Sequence, residues 1–267
     1  MKWPNTLVLI RHGESAYNIQ KVAQEQDPQY QEFKKIYNKF EKNPDKYGDV
    51  AREMARIILA GGKYRLAKGD HETPLTDNGK WQAETTGQVL AGMGREAMPL
   101  PDLIMVSPYL RTKQTLGHLA VGWPELDGVR TVEEERLREQ EHGLRALYGD
   151  WRVYNVLHPE QMELRNMQGA YWYRHVQGEN IPDVRERTRD LIGTVIRDFP
   201  ERRVWWITHH LTKLSLRANF ERFGADEFLR LDAEEKPVNC GVTTYRGYPE
   251  AGKDGHLVLD QYNAQLY

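Results

Sequence analysis

One cysteine, Cys240, stands in 267 residues. A lone thiol excludes an intramolecular disulfide and a thiolate-only metal cage, and it fits a reducing compartment, so the cytoplasm is the expected location. Long apolar runs are missing too, with nothing approaching the roughly 20 residues of a membrane span. The opening stretch MKWPNTLVLIRHGES has too short an apolar run for a secretory signal. The expectation is a soluble, unprocessed protein with no membrane partner. Excess charge is absent: 37 basic side chains meet 39 acidic ones, a formal net charge of -2. No overall field draws the chain to nucleic acid, and any anion site has to be local. No internal repeat, low-complexity tract or long linker is present, nor the HExxH pattern of a helical zinc site.

What is present reads as an ordinary globular composition, 39% hydrophobic, long enough to bury a sizeable core. Thr6–Ile10 (TLVLI), Leu103–Val106 (LIMV) and Val204–Ile207 (VWWI) are short apolar runs, each ending in a polar or charged cluster. Such runs are strands buried on both faces of a mostly parallel sheet. Val184, Leu191, Ile192, Val195, Ile196 and Phe199 follow the helical period; Asn180, Pro182 and Asp183 supply a start, and Pro200 a stop. Strands alternating with helices predict an α/β fold, a mostly parallel central sheet flanked by helices, with ligand sites beyond the carboxyl ends of the strands.

Residues 28 to 62 read differently. Tyr30, Phe33, Tyr37 and Phe40 form one helical stripe, and Val50, Met54, Ile57 and Ile58 another that ends at Gly61-Gly62. The expectation is a helical hairpin inserted after the first strand of a single domain spanning residues 1 to 267. The hairpin could pack on the sheet, close over the site or form a homodimer contact.

The three strand ends carry RHGE, SPYLRT and THH. They bring Arg11, His12, Arg111 and His209 to one edge of one sheet. Guanidinium groups match phosphate oxygens with paired, charge-assisted hydrogen bonds. A neutral imidazole nitrogen can attack phosphorus, and flanking cations disfavour its protonated form. A phosphate site with a histidine nucleophile follows.

RHGESAYN, SPYLRTKQT, LREQEHG and THH, in this order over residues 11 to 210, resemble the motifs of the histidine phosphatase superfamily, also known as the phosphoglycerate mutase-like family. ETPLTDNGKWQA, residues 72 to 83, is similar to the family's PLT-x-x-G-x-x-QA stretch. The resemblance implies that His12 becomes phosphohistidine, and that Arg11, Arg111, His209 and Asn18 bind the phosphoryl oxygens. It implies that Glu139, four residues before Gly143, protonates the leaving oxygen and then activates water. Glu133, Glu134, Glu135 and Glu141 lie nearby, and only the spacing to Gly143 and the family's Leu-x-Glu pattern, here Leu137-Arg138-Glu139, separate Glu139 from them. The resemblance needs no metal and no cofactor.

His210 departs from the family, which has glycine after its second histidine. Its side chain would either crowd the phosphate, add a third imidazole, or turn away. Glu14 and Ser15 start a helix with its positive end toward phosphate, or only cap it; Ser15 stays a candidate contact. Lys63, Arg65 and Lys68 could meet a second anionic group. Trp151, Tyr171, Trp172 and Tyr173 could wall the leaving-group site or belong to the core. The expected function is a phosphatase acting on phosphate monoesters of small metabolites, with the phosphorylated metabolite as its partner and a homodimer left open. A 2,3-bisphosphoglycerate-dependent phosphoglycerate mutase is the alternative. A non-catalytic scaffold for a phospho-ligand or protein is the third, disfavoured because the catalytic set is intact.

Overall fold

The computed structural model describes residues 2–65 and 69–267. Lys68 lies outside them. In chain order the first elements are β1 (Thr6–Arg11), α1 (Ala16–Gln26), α2 (Pro28–Lys42), α3 (Pro44–Ala60), α4 (Asp77–Gly92), α5 (Gly94–Ala97), β2 (Leu103–Val106), α6 (Leu110–Gly122) and β3 (Thr131–Glu133). There follow α7 (Trp151–Leu157), α8 (Pro159–Gln168), α9 (Ile181–Asp198), β4 (Arg203–Thr208), α10 (His210–Phe220), α11 (Ala225–Glu234), β5 (Val242–Tyr248) and β6 (His256–Ala264). Among the described residues no helix is long and apolar enough to cross a membrane.

The chain divides into two compact units. The first comprises the residues up to Ala16 with Asp70–Gln140 and Asp183–Tyr267. Its six-stranded sheet has the order β3-β2-β4-β1-β5-β6. The strands from β3 to β1 are mutually parallel, as the apolar runs predict, whereas β5 lies antiparallel to β1 and β6 to β5. Val8, Ile10, Ile104, Val106, Trp205 and Ile207 pack with α4 and α6 residues such as Leu90 and Leu119. Leu7, Leu9, Met105, Val204 and Trp206 pack with Leu191 and Val195 of α9 and Leu216 and Phe220 of α10. Successive strand side chains point to opposite faces, so a strand covered on both faces needs an unbroken apolar run rather than an alternating one.

The second unit comprises Tyr17–Gly69 and Glu141–Pro182. Asp27 caps α2 by accepting from the amides of Gln29 and Tyr30, and the Asn43 side chain accepts from Lys46 at the start of α3. Proline at the first position of both helices costs no hydrogen bond there. Tyr30, Phe33, Tyr37 and Phe40 are buried as their spacing predicts, packed with Val153 and Val156 of α7. The α3 face differs from expectation. Ala51, Ala55 and Ile58 are buried, while Val50 and Ile57 are 51% and 47% exposed. Ala51 and Ala55 share the inner face with Ile58, Met54 packs against it, and only Val50 and Ile57 of the expected stripe turn outward.

Substitutions on α3 test this face. Ala55→Leu should overpack the contact and destabilise by about 1–3 kcal/mol, whereas Val50→Ser should stay within about 0.5 kcal/mol of the unaltered chain. Urea denaturation of both variants measures the difference; the reverse ranking would mean the face is misassigned.

Candidate active site

Strand register builds the site. Arg11 of β1 lies opposite Thr208 of β4, and Val106 of β2 opposite Ile207. One residue past these ends stand His12, His209 and Ser107, on three adjacent strands. The His12 and His209 rings are 5.2 Å apart, edge to face, and the Tyr109 ring is 4.9 Å from His209. His209 Nε2 lies 2.8 Å from Ser107 Oγ.

His12 is buried, and its Nδ1 lies 2.7 Å from the carbonyl oxygen of Gly13. A carbonyl only accepts, so Nδ1 carries the proton, and in the neutral ring Nε2 keeps its lone pair. Burial, then the guanidiniums of Arg111 and Arg11, hold the imidazole pKa well below its ordinary 6.5. Burial, then Arg111, His12 and Arg11, do the same for His209. Burial also lowers the pKa of Arg11, an effect opposed by Glu139 and reinforced by Arg111. Arg11 Nη1 donates to the carbonyl of Pro237 at 2.6 Å.

Glu139 occupies the N-terminus of α10. Its carboxylate accepts from the amides of Leu211 (3.3 Å) and Thr212 (3.2 Å), and from its neighbour Gln140 (3.0 Å). Arg187 donates to the main-chain oxygens of Arg136 (2.6 Å) and Glu139 (3.2 Å), fixing the segment that carries it. Of the nearby glutamates, Glu135 is exposed and the other three have partners of their own. Glu134 holds Arg136, Glu133 meets Lys113, and Glu141, in the second unit, accepts from Gly143 N.

Thus the first unit brings together Arg11, His12, Arg111, Glu139 and His209. Ser15 is also in this unit, buried in a lone bridge to Leu75. His210 turns to α11, its Nε2 2.8 Å from Asp232 Oδ1, which answers the question raised by a side chain where glycine was expected. Asn18, on α1, belongs to the second unit, as do Lys63, paired with Asp27, and the exposed Arg65. Tyr171 and Tyr173 are buried there, Trp151 packs on the aromatic core, and Trp172 is exposed.

The residues that hold the nucleophile were not assigned from sequence. Gly13 N donates to Thr115 Oγ1 (3.0 Å), Glu14 N to Gln82 Oε1 (2.8 Å), Thr76 N to Glu14 O (2.9 Å) and Ala16 N to Pro74 O (3.0 Å). A Cβ on Gly79 would stand 2.0 Å from Glu14 O, and one on Gly13 2.4 Å from Gly79 O, so two backbones meet here without room for side chains. ETPLTDNGKWQA is therefore the clamp on the RHGES loop: the motif was visible, its physical use was not. On the other side Cys240 N and Asn239 Nδ2 both donate to His12 O at 3.2 Å. Buried Lys213 donates to Gly241 O at 2.6 Å, and no sequence signal marks it. Among the described residues no group of three or more His, Cys, Asp or Glu side chains could hold a metal ion.

A parallel-sheet edge thus presents two arginines, two buried imidazoles held well below their ordinary pKa, and a carboxylate. The chain belongs to the histidine phosphatase superfamily, whose branch 1 matches residues 61–253. The matched span begins after the hairpin, so Arg11–Asn18 lie outside it and their assignment rests on the geometry above. The chain is similar to Phosphoglycerate mutase-like protein AT74H of Arabidopsis thaliana, 24% identical over 245 residues, 86% of this chain and 70% of that protein. Among solved structures, a mycobacterial glucosyl-3-phosphoglycerate phosphatase complexed with VO3 matches at TM-score 0.59 and 21% identity, over 97% of this chain and 99% of that one. A putative alpha-ribazole-5'-P phosphatase from Escherichia coli matches at TM-score 0.62 and 15% identity, over 98% and 97%. At these identities the structural likeness is one of fold.

The depressed His12 pKa has a consequence for stability. Below about pH 6.5 the unfolded chain takes up a proton that folded His12 refuses. Stability is therefore lost as pH falls through that value. Replacing His12 with Gln removes one such site, and the decline between pH 6 and 5 should become shallower by up to about 1.4 kcal/mol per pH unit. Urea unfolding at both values tests this; an unchanged decline would contradict a neutral, buried His12.

Proposed function

We propose that the protein is a phosphatase that hydrolyses phosphate monoesters of small metabolites through a phosphohistidine at His12. The observation that carries this reading is the His12 Nδ1 contact with the Gly13 carbonyl, which leaves Nε2 as the free nitrogen of an uncharged ring. In the first step the Nε2 lone pair attacks phosphorus, the bond to the leaving oxygen breaks, and protonated Glu139 gives that oxygen its proton. In the second step water attacks the phosphohistidine, Glu139 takes the proton of the water, and the nitrogen–phosphorus bond breaks. Inorganic phosphate leaves and His12 is neutral again. Arg11 and Arg111 would offset charge on the phosphoryl oxygens throughout, and His209 would add a donor. The superfamily and the two phosphatases of like fold support the reaction class. The substrate is not carried over from them.

The second reading is a mutase that returns the phosphoryl group to another hydroxyl of its substrate. The name of the Arabidopsis relative favours keeping it. Against it, the stretch that begins at the acid, EQEHGLRALYGD, lacks the ERHYGGL wording associated with mutases of this family.

Hydrolysis of p-nitrophenyl phosphate at mildly acidic pH tests the proposal. His12→Ala should abolish turnover, Arg111→Ala should lower kcat by about a hundredfold or more, and EDTA should change nothing. Equal rates for wild type and His12→Ala would overturn it. Interconversion of 3- and 2-phosphoglycerate with 2,3-bisphosphoglycerate as primer, faster than phosphate release, would select the mutase.

A further inference from the structure

Arg111 is already engaged on one side. Its Nη1 donates to the main-chain oxygen of Asp70 (2.7 Å) and to Oδ1 (3.0 Å), and its Nη2 donates to Oδ2 (3.0 Å). A guanidinium has five N–H donors in a rigid plane. Asp70 takes both protons of Nη1 and one of Nη2. The Nε–H and the second Nη2–H remain, side by side on the other edge of the fork. That edge matches two oxygens of a single phosphoryl group.

The setting fixes this division. Arg111 is buried, while the Asp70 side chain is 40% exposed. Asp70 opens the 3-10 turn Asp70–Glu72, and its main-chain oxygen also accepts from Thr73 N at 3.2 Å. The guanidinium carbon sits 4.9 Å from the centre of the Tyr109 ring, an attraction that also restrains it. Behind it, the Arg111 main-chain oxygen accepts from Thr115 Oγ1 (2.7 Å), the same hydroxyl that receives Gly13 N. Arg111 and the nucleophile loop thus share one anchor.

We infer that Asp70 is a positioning residue for phosphoryl recognition, holding Arg111 by its Nη1–Nη2 edge so that the Nε–Nη2 edge is presented to phosphate. The inference rests on the reading of Arg111 as a phosphate ligand. Asp70 does not touch the reacting atoms. It fixes the rotation of a head group that would otherwise have to be ordered when substrate arrives, a cost that preorganisation removes.

Titration calorimetry of the full chain with inorganic phosphate, for wild type, Asp70→Asn, Asp70→Ala, Arg111→Ala and the Asp70→Ala/Arg111→Ala double variant, tests the inference without relying on turnover. Asp70→Asn and Asp70→Ala should weaken phosphate binding about tenfold, the scale of one charge-assisted hydrogen bond misaligned. In the Arg111→Ala background the loss of Asp70 should cost nothing further, because its effect runs through the arginine. Equal effects of Asp70→Ala in both backgrounds would show a merely structural role. Tighter phosphate binding by Asp70→Ala would show the carboxylate competing with phosphate for Arg111. Either result overturns the inference and leaves the proposed function standing. Wild-type protein that binds no phosphate would overturn the reading of Arg111 itself.

Discussion

A buried imidazole has to stay uncharged beside two guanidiniums, and the remainder of the first unit serves that requirement. Burial alone depresses the His12 pKa, and Arg111 and Arg11 depress it further. The same cations that would hold a phosphate thereby keep the nitrogen unprotonated, its lone pair available, before phosphate arrives. The Gly13 carbonyl settles which nitrogen is free. Loss of burial, of the cations or of that carbonyl's position would give a charged ring or the wrong tautomer.

The backbone around His12 is correspondingly over-determined. Clamping by Pro74, Thr76, Gly79, Gln82 and Thr115 holds the loop after β1 from one side. Asn239 and Cys240 fix the His12 carbonyl from the other. Cys240 adopts φ 49°, a left-handed conformation uncommon for a residue with a side chain. Glu139 is set by the first amides of α10, whose preceding residue is His209, so one strand end orients both the second imidazole and the carboxylate.

Strands β1, β2 and β4 were legible because strands covered on both faces must be apolar without interruption. The chemistry at their ends was legible because charged residues directly after such runs have few structural uses. Strands β5 and β6 escaped notice for the converse reason. Thr243 and Thr244 are buried, giving VTTYRGY no apolar run, and β6 is largely exposed or intermediate. On α3 the expected Met54 and Ile58 do pack on the core, but Ala51 and Ala55 take the places expected of Val50 and Ile57, because alanine contributes little to an apolar stripe yet permits close approach. Asp70 escaped because its role depends on a partner 41 residues away, and no spacing rule reports that contact.

Rapid quench of the protein with a phosphate monoester, followed by mass spectrometry and phosphorus NMR of the trapped adduct, tests the central claim most directly. The account predicts an acid-labile, base-stable phosphoryl group on His12, bonded through Nε2 because Nδ1 is committed to the Gly13 carbonyl. A phosphoryl group on Nδ1, on another residue, or on none while turnover proceeds would contradict it.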